Sequence, residues 1–359
     1  MMFGLEQVTT LDTMAAVQVV MLGFIGGVLS GFIGSGGAFF MAPGMMNLGV
    51  PGAIAVGTNI AHKFGKSIVG SSRHSRMGHV DKKLGFFMLI TAVIGIRLAV
   101  WINERLFKIG SAQSQSSAAG DLYISGVFVV ILLVVSIFIL RDALRHPEKD
   151  TGPSTRLAET VSRIHIPPVI SFRVTDVRLS FWVIAVVGLA TGYLAGTIGV
   201  GGFIGVPAMI YLFGVPTAVA AGTEMFLAIF MGLWGSINYA WGGMVDLRLV
   251  FLLYAGSLAG VHIGAYGTKV VKERVIRLVT GIIILLCVLS RAISIPVYLD
   301  ELGWINLTEG AEVWINGASK YVLYASGIAG VLVILGAVAR SHRRRRQAQK
   351  VLENIRAEA

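Results

Sequence analysis

The chain has 359 residues, of which 55% are hydrophobic and only 14% are charged, and its mean hydropathy is +0.76. Soluble proteins of this length are much less apolar, so the composition excludes an ordinary soluble protein and indicates a polytopic membrane protein. The formal net charge is +11. Its basic segments lack interleaved aromatic residues, which favours contact with anionic lipid over binding of nucleic acid.

The first apolar segment covers residues 14–48. The residues before it include Glu6 and Asp12 but no Lys or Arg. The segment therefore lacks the basic region of a cleavable signal peptide and is expected to stay in the protein. Further apolar runs, at 84–101, 122–140, 278–295 and 321–338, are each long enough to cross the ~30 Å hydrocarbon layer as a helix. We predict an all-α polytopic membrane fold.

An internal repeat links the two halves of the chain. Residues 31–58 align without a gap on residues 196–223, and 12 of the 28 positions are identical. The same offset of 165 residues aligns GHVD at 78–81 with GMVD at 243–246. Chance similarity between apolar segments rarely preserves GxGG, VP and GT elements in one register. The chain is therefore interpreted as a duplicated unit.

Basic residues indicate how the chain is oriented in the membrane. Segments 63–83, 141–178, 269–277 and the tail from residue 340 hold 24 of the 30 Lys and Arg residues. The positive-inside rule places these segments in the cytoplasm. The connections at 103–121, 241–248 and 291–320 are then external. This orientation gives an external N-terminus and a cytoplasmic C-terminus.

The same orientation predicts two hairpins. Segment 180–213 can cross the membrane only an even number of times, so we interpret it as a hairpin that enters the membrane and returns on its own side. Its repeat mate, 14–48, is expected to do the same from the opposite side. The fold is therefore predicted to contain two inverted repeats, each with a Gly-broken re-entrant or discontinuous helical segment plus about three transmembrane helices.

These features divide the chain into six parts. The predicted parts are a first transmembrane repeat (1–140), a basic cytoplasmic linker (141–179), a second transmembrane repeat (180–295), an external loop (296–320), an additional C-terminal transmembrane helix (321–339) and a basic cytoplasmic tail (340–359).

Gly-rich sequences interrupt both hairpins, GSGG at 34–37 and GVGG at 199–202. Glycine permits tight turns and close approach of a ligand. Irregular backbone at membrane depth is tolerated only beside protein or a water-filled cavity, so the two tips are expected to meet at an internal site. A half-helix begins after each tip, and its free N–H groups and positive dipole end attract anions.

Ionisable residues within apolar spans are costly and are usually functional. Arg97 and its repeat mate His262 occupy such positions, and Glu224 is the only carboxylate within an apolar span. Arg97 has an alternative role as a structural ion pair with Glu224. His262 has an alternative role as a packing histidine.

Three basic residues, His62, Lys63 and Lys66, lie along the helix that follows the first hairpin. Lys66 has the alternative role of reaching the cytoplasmic interface with its long side chain. Asp81 and Asp246 each follow a GxV turn and open a helix, so they are expected to be N-caps rather than ligands.

The duplicated Gly-rich segment, the AVGT and AAGT sequences that follow, and the GHVD and GMVD turns together resemble the sulfite exporter TauE/SafE family of membrane permeases. The resemblance covers residues 15–105 and 180–290, approximately. It implies export or uptake of small sulfur-containing anions, such as sulfite, sulfate, thiosulfate or organosulfonates, across a bacterial cytoplasmic (inner) membrane. One departure is Pro43, which is one residue out of register with Pro207.

With this resemblance, the repeats predict a secondary transporter that works by alternating access around the two tips. Arg97 is expected to balance the charge of the anion. Glu224, His62 and His262 are candidates for coupling proton movement to transport. The other predicted substrate contacts come from the tips and the helices after them: Ser35, Gly36, Gly37, Thr58, Asn59, Gly201, Gly202 and Thr223.

Three other functions compete with this prediction. An anion channel also uses broken helices, and concentrative uptake distinguishes it from a transporter. An intramembrane enzyme acting on lipid pyrophosphate would need clustered carboxylates, and a membrane scaffold would use the basic linker and tail. The sequence has no GxxxxGK[ST] loop and no metal-ligand spacing, which argues against an ATP-driven pump. We also expect no enzymatic activity, no cofactor and no resident metal. The expected partners are the small anion and membrane lipids, and no oligomeric state follows from the sequence.

Overall fold

The computed structural model describes residues 13–33, 37–112, 118–145, 156–164, 166–199, 201–271 and 273–358. Within these ranges the chain forms twelve α-helices and two β-strands. In chain order they are α1 (Thr13–Ile33), α2 (Ala38–Asn47), α3 (Gly52–Arg76), α4 (Lys82–Ala112), α5 (Ala118–Arg145), α6 (Arg156–Ser162), β1 (Val169–Phe172), β2 (Val177–Ser180), α7 (Phe181–Ile198), α8 (Gly202–Tyr211), α9 (Thr217–Trp241), α10 (Leu247–Val270), α11 (Glu273–Glu301) and α12 (Glu309–Glu358).

Eight of the described helices are long and apolar enough to cross a membrane. This confirms the predicted all-α polytopic membrane class. Helix α3 is not among the eight although it has 25 residues, because its polar and basic side chains lower its hydropathy. Helices α2 and α8 have ten residues each, so each spans only about 15 Å.

The first hairpin consists of the antiparallel helices α1 and α2. A Cβ atom on Gly37, just before α2, would clash with the carbonyl oxygen of Gly26 in α1. One on Gly44 would meet Leu22, one turn nearer the start of α1. The chain therefore reverses at the predicted GSGG break, and glycine at position 37 lets the two backbones touch.

The second hairpin, formed by α7 and α8, has the same construction. Helix α7 ends at Gly199, which has a φ of +75°, a left-handed conformation that favours glycine. Gly201 and Gly205 of the returning arm then pack against Ala195 and Thr191 of α7. The predicted glycine break is confirmed in both halves of the chain.

The two halves are interlocked through close helix contacts. Helix α1 lies along α10, where a Cβ atom on Gly23 would clash with the carbonyl oxygen of Leu253. Helix α7 lies along α4 in the same way, with Gly192 against the backbone of Ala92. Small residues at such crossings let membrane helices approach closely and gain van der Waals contact. Each half therefore supplies the packing partner for the first helix of the other.

Helices α3 and α9, which are repeat mates, cross at the centre of the molecule in antiparallel directions. Gly57 near the start of α3 touches Tyr239 near the end of α9. Gly222 near the start of α9 approaches His74 near the end of α3. The site described below lies between these two helices.

A buried cation joins α2, α11 and α12 at the edge of this core. Arg291 on α11 is only 1% exposed. It donates hydrogen bonds to Asn47 at the end of α2, to Ser319 of α12 at 3.4 Å and to Tyr298 at 3.1 Å. Within the described ranges, no carboxylate lies within 4.0 Å of its guanidinium. The hydrogen bonds to neutral groups hold the C-terminal helix against the first hairpin.

The connection between α11 and α12 is shorter than predicted. Helix α11 continues through Pro296 to Glu301, and α12 begins at Glu309. Most of the predicted external loop, 296–320, is thus helical. Helix α12 has 50 residues, about 75 Å, so the segment predicted as a tail continues the helix well beyond the ~30 Å hydrocarbon layer.

The polar linker contains ordered structure that the sequence did not predict. Strands β1 and β2 pair antiparallel and form a small sheet, the exception to the all-helical description. Phe172 of β1 is buried and packs edge-on against Phe87 of α4. In the turn of the hairpin, the Thr175 hydroxyl donates to the Asp81 carboxylate at 3.1 Å. The hairpin therefore covers the start of α4.

Candidate functional site

The two glycine breaks converge on the same point inside the molecule. Phe39 in the first turn of α2 and Phe203 in the first turn of α8 meet edge to face, with ring centroids 4.9 Å apart. Between the tips lies Asn59 of α3, which is fully buried. Its amide nitrogen donates to the carbonyl oxygen of Ala38 at 3.0 Å and also lies against Gly199. The start of α2 and the end of α7 are thus both in contact with one side chain.

Lys63, one turn after Asn59, points into a small cavity beside the second tip. The cavity has a volume of about 10 Å³, room for about one water molecule. Its walls come from α3, α4, α7 and α9 and consist of Ile60, Lys63, Ile96, Ala195, Gly199, Ala228, Met231 and Gly232. Lys63 is the charged residue in this otherwise apolar lining. A cation in such surroundings is a candidate ligand for an anion.

Glu224 of α9 lies next to Lys63. Its Oε1 atom is 3.8 Å from Lys63 Nζ, which is within ion-pair range but too long for a hydrogen bond. The carboxylate is buried, and neither oxygen has a hydrogen-bond partner. It lies against Gly205 of α8, which also packs against the methyl group of Thr191 on α7. The buried Thr191 hydroxyl has no partner either. In the described part of this centre, Lys63 and Glu224 therefore form a charged pair without a hydrogen bond between them.

The two threonines predicted as substrate contacts instead join the halves of the chain. Thr58 accepts a hydrogen bond from the backbone N–H of Asp246 at 3.1 Å, and Thr223 accepts one from Asp81 at 3.0 Å. Both hydroxyls are fully buried. Each contact links a helix of one repeat to the N-terminus of a helix in the other, and we call the two contacts the threonine clasps. This geometry gives each threonine a structural contact, and their role as substrate contacts stays a prediction.

The predicted N-cap roles of the two aspartates are confirmed. The Asp81 carboxylate accepts from the N–H of Leu84 at 3.0 Å, and that of Asp246 accepts from Arg248 at 2.9 Å and Leu249 at 3.4 Å. Burial by itself raises the pKa of the Asp246 carboxyl. The hydrogen bonds and charge of Arg248 outweigh that effect, and the pKa lies below its ordinary value. Asp246 is therefore charged at neutral pH and stabilises the start of α10.

Arg97 and its mate His262 lie away from the convergence point. Both are exposed on the outer surface of the helix bundle. Arg97 donates to the Asn238 side chain at 3.2 Å and borders an open apolar groove with Trp101 and Trp234. The ion pair between Arg97 and Glu224 considered above is not formed: Arg97 contacts Asn238, 14 residues further along α9, and Glu224 pairs with Lys63 instead.

The remaining basic residues of α3 face other helices. His62 is buried, and its Nε2 atom is 2.7 Å from the hydroxyl of Ser257 on α10. Lys66 donates to the Ser30 hydroxyl of α1. His62 and Lys66, one turn apart on α3, thus face the α1–α10 pair, whereas Lys63 faces α9.

Of the predicted tip residues, Gly37, Gly201 and Gly202 are buried at the convergence point, and Ser35 and Gly36 lie outside the described residues. The described ranges contain no group of three His, Cys, Asp or Glu side chains that could hold a metal ion.

The sequence interpretation did not select Lys63 or Thr191 for the site. For Lys63 a signal was available, since it lies on the same helix face as Asn59, one turn later.

Comparison with known proteins agrees with this architecture. The family described as sulfite exporter TauE/SafE matches residues 19–291. Two relatives from Bacillus subtilis (strain 168) align over most of their length. They are "Probable membrane transporter protein YdhB", 26% identical over 62% of this chain and 78% of the relative, and "Probable membrane transporter protein YjnA", 25% identical over 64% and 82%.

A third relative from the same organism, "Probable membrane transporter protein YunE", is 32% identical over 31% of this chain and 44% of its own length. No solved structure matches the chain significantly. The family and these relatives are named as transporters and not as enzymes. The family match covers three quarters of the chain, from α1 into α11, and includes both hairpins. The protein belongs to the sulfite exporter TauE/SafE family.

Proposed function

We propose that this membrane transporter moves small sulfur-containing anions, such as sulfite, sulfate, thiosulfate or an organosulfonate, across the bacterial cytoplasmic membrane. The family name supports the substrate class. The observation that carries the proposal is the position of Lys63, a cation that faces an internal cavity beside the Gly199 tip. An anion that reaches this cavity gains a charge-assisted hydrogen bond from the ammonium group.

The helix N-termini complete the proposed site. Helices α2 and α8 begin at the convergence point, and the first N–H groups of any α-helix lack partners within the helix. These donors and the positive ends of the two dipoles favour an anion between the tips. We assign backbone contacts to Gly37, Gly201 and Gly202, with Ser35 and Gly36 as further contacts from the first tip. Asn59 connects the tips and orients them.

Alternating access requires the closed arrangement to open. The cavity of about 10 Å³ has room for about one water and not for a sulfur oxyanion, so the described conformation is closed around the site. The antiparallel crossing of the repeat mates α3 and α9 supports inverted repeats. In the proposed cycle, the interlocked pairs α1–α10 and α4–α7 move relative to the centre. The predicted orientation, with an external N-terminus and a cytoplasmic C-terminus, remains part of this proposal.

The test uses purified protein in liposomes and measures flux of sulfite, sulfate, thiosulfate, methanesulfonate and chloride. Lys63→Gln removes the charge at the cavity and is expected to lower sulfur-anion flux at least 10-fold. Lys108→Gln is the matched control, because Lys108 is exposed and pairs with Glu104 on the surface of the same protein. Its flux should equal that of wild type.

The variant Arg97→Gln distinguishes an anion site at Lys63, which we propose from the structure, from one at Arg97, which the sequence predicted. Because Arg97 is exposed outside the convergence point, we expect its variant to keep flux within about 2-fold of wild type. If Arg97→Gln abolishes flux and Lys63→Gln does not, the anion site lies elsewhere than proposed. Concentrative uptake would exclude a channel, and a lack of any sulfur-anion flux in wild type would refute the proposed substrate class.

A further inference from the structure

Lys63 and Glu224 have few polar partners other than each other, and this bears on how transport is driven. The only carboxylate near Lys63 in the described part of the chain is Glu224, and both Glu224 oxygens lack a hydrogen bond. At 3.8 Å the two groups neutralise each other without a direct hydrogen bond. A buried carboxylate without a partner is strongly destabilised unless its charge is removed.

An incoming anion changes this balance. It binds the same ammonium group that neutralises Glu224, because Lys63 is the cation lining the cavity. Two negative charges then share one positive charge in a buried site. The least costly response is for the carboxylate to take up a proton and become neutral, as carboxyl groups in apolar surroundings do.

We propose that the anion and Glu224 alternate as the partner of Lys63, so that each anion bound is accompanied by one proton taken up by Glu224. This inference rests on the proposed function and adds its coupling ion. On loading, the Glu224 carboxylate gains a proton as the anion takes its place beside Lys63. On release, the anion leaves, the proton is lost to the same side of the membrane, and the Lys63–Glu224 pair forms again. For a monovalent anion the transported species are electrically neutral together.

The groups around Glu224 are compatible with this exchange. Helix α8 contributes Gly205, and α7 contributes Thr191, whose methyl group lies against the same glycine and whose buried hydroxyl has no partner. On α3, His62 and Lys66 are directed to Ser257 and Ser30.

Titratable groups on the other packed elements lie further from the carboxylate. His74, at the end of α3, and His79, just before α4, lie against Gly222, two residues before Glu224. Their rings face each other at 5.9 Å between centroids. His262, the other coupling candidate from the sequence, is exposed on α10. Lys63 is therefore the charged group in direct range of Glu224.

The decisive experiment compares two transport modes in proteoliposomes. Glu224→Gln keeps the shape of the side chain but cannot change its charge. We expect it to lose accumulation of sulfite or thiosulfate driven by an imposed proton gradient by at least 10-fold. Exchange of labelled for unlabelled anion at equal pH needs no net proton movement, so the ratio of gradient-driven accumulation to exchange should fall at least 10-fold in this variant. Glu104→Gln, at an exposed surface pair, should behave as wild type in both modes.

Proton uptake on binding gives a second readout that does not depend on transport. In weakly buffered detergent solution with a pH indicator, wild type should take up about one proton per anion bound, and Glu224→Gln none. If Glu224→Gln still accumulates anion under a proton gradient, or wild type binds anion without taking up a proton, the coupling inference is wrong while the anion site stands. If wild type neither binds nor moves sulfur anions, the proposed function itself fails.

Discussion

Two glycines show how a single missing Cβ atom controls the geometry of the hairpins. Gly37 lies so close to Gly26 that a methyl group has no space, whereas Gly126 on α5 has no atom within 4 Å of its Cβ position. Overpacking of this kind costs about 1–3 kcal/mol or more when backbone must move. In an open helical position, alanine instead gains about 0.5–1 kcal/mol over glycine.

We therefore expect Gly37→Ala to lower the thermal unfolding midpoint in detergent and to abolish anion flux. Gly126→Ala should leave flux unchanged and hold or raise the midpoint. Fluorescence-detected size-exclusion chromatography after heating measures both variants under one condition. Equal midpoints for Gly37→Ala and wild type would show that the α1 and α2 backbones do not touch.

Lys63 and Arg97 show where residue-level prediction reaches its limit. Both are cations within helices, and Arg97 was selected because apolar neighbours surround it in sequence. Burial depends on the rotation of the helix against its neighbours, which the positions of other helices decide. Helix α4 directs Arg97 outward, and α3 directs Lys63 toward Glu224. A single sequence contains the charge but not the direction in which it points.

The threonine clasps are contacts between elements, and they connect the repeats at two helix starts. Thr58→Val and Thr223→Val keep the shape of the side chain but leave a buried backbone N–H without a partner. Each is expected to cost about 1–3 kcal/mol. Thr58→Ser and Thr223→Ser keep the hydroxyl and should retain most of the stability. We would measure the thermal unfolding midpoint in detergent and the anion affinity of each variant. Together the two measurements distinguish a threonine clasp from a substrate contact.

The outcome for the threonines discriminates between the two assignments. A loss of stability in both valine variants, with affinity kept in any molecules that remain folded, supports the clasps. Unchanged stability with a large loss of affinity would return Thr58 and Thr223 to the substrate site that the sequence predicted.

Element boundaries followed from the sequence where the signal was local. The glycine breaks and the aspartate N-caps depend on a few adjacent residues, and both predictions were confirmed. The β-hairpin of the linker was missed, although VISF and VRLS carry β-branched and aromatic residues on either side of a short turn. Its stability comes from Phe172 and Thr175 packing on α4, contacts that link distant parts of the chain.

At the scale of the whole molecule, the interlocked halves predict that neither half is stable alone. The first helix of each half lies against a helix of the other, so a single repeat exposes a glycine-lined surface without its partner. Expressed separately, fragments 1–150 and 151–359 are expected to be degraded. Expressed together, they should assemble, because the cut falls between α5 and α6 and separates none of the paired helices from its own half.

Affinity purification through a tag on one fragment, followed by detection of the other, measures this assembly. A Gly23→Leu change in the first fragment provides the control, since it blocks the contact of α1 with Leu253 and should reduce recovery of the second fragment. Stable accumulation of 1–150 alone would contradict the interlocked arrangement.

The interlocking also delays the packing of α1 during biosynthesis. Gly23 cannot make its contact with Leu253 until Leu253 has been synthesised, and 230 residues separate the two in the chain. At roughly 5–20 residues per second, the ribosome needs about 10–50 s to produce that partner. During this interval the bare face of α1 is open to lipid and to quality-control proteases. Slow translation of the second half should therefore lower the yield of mature protein even though its final structure is unchanged.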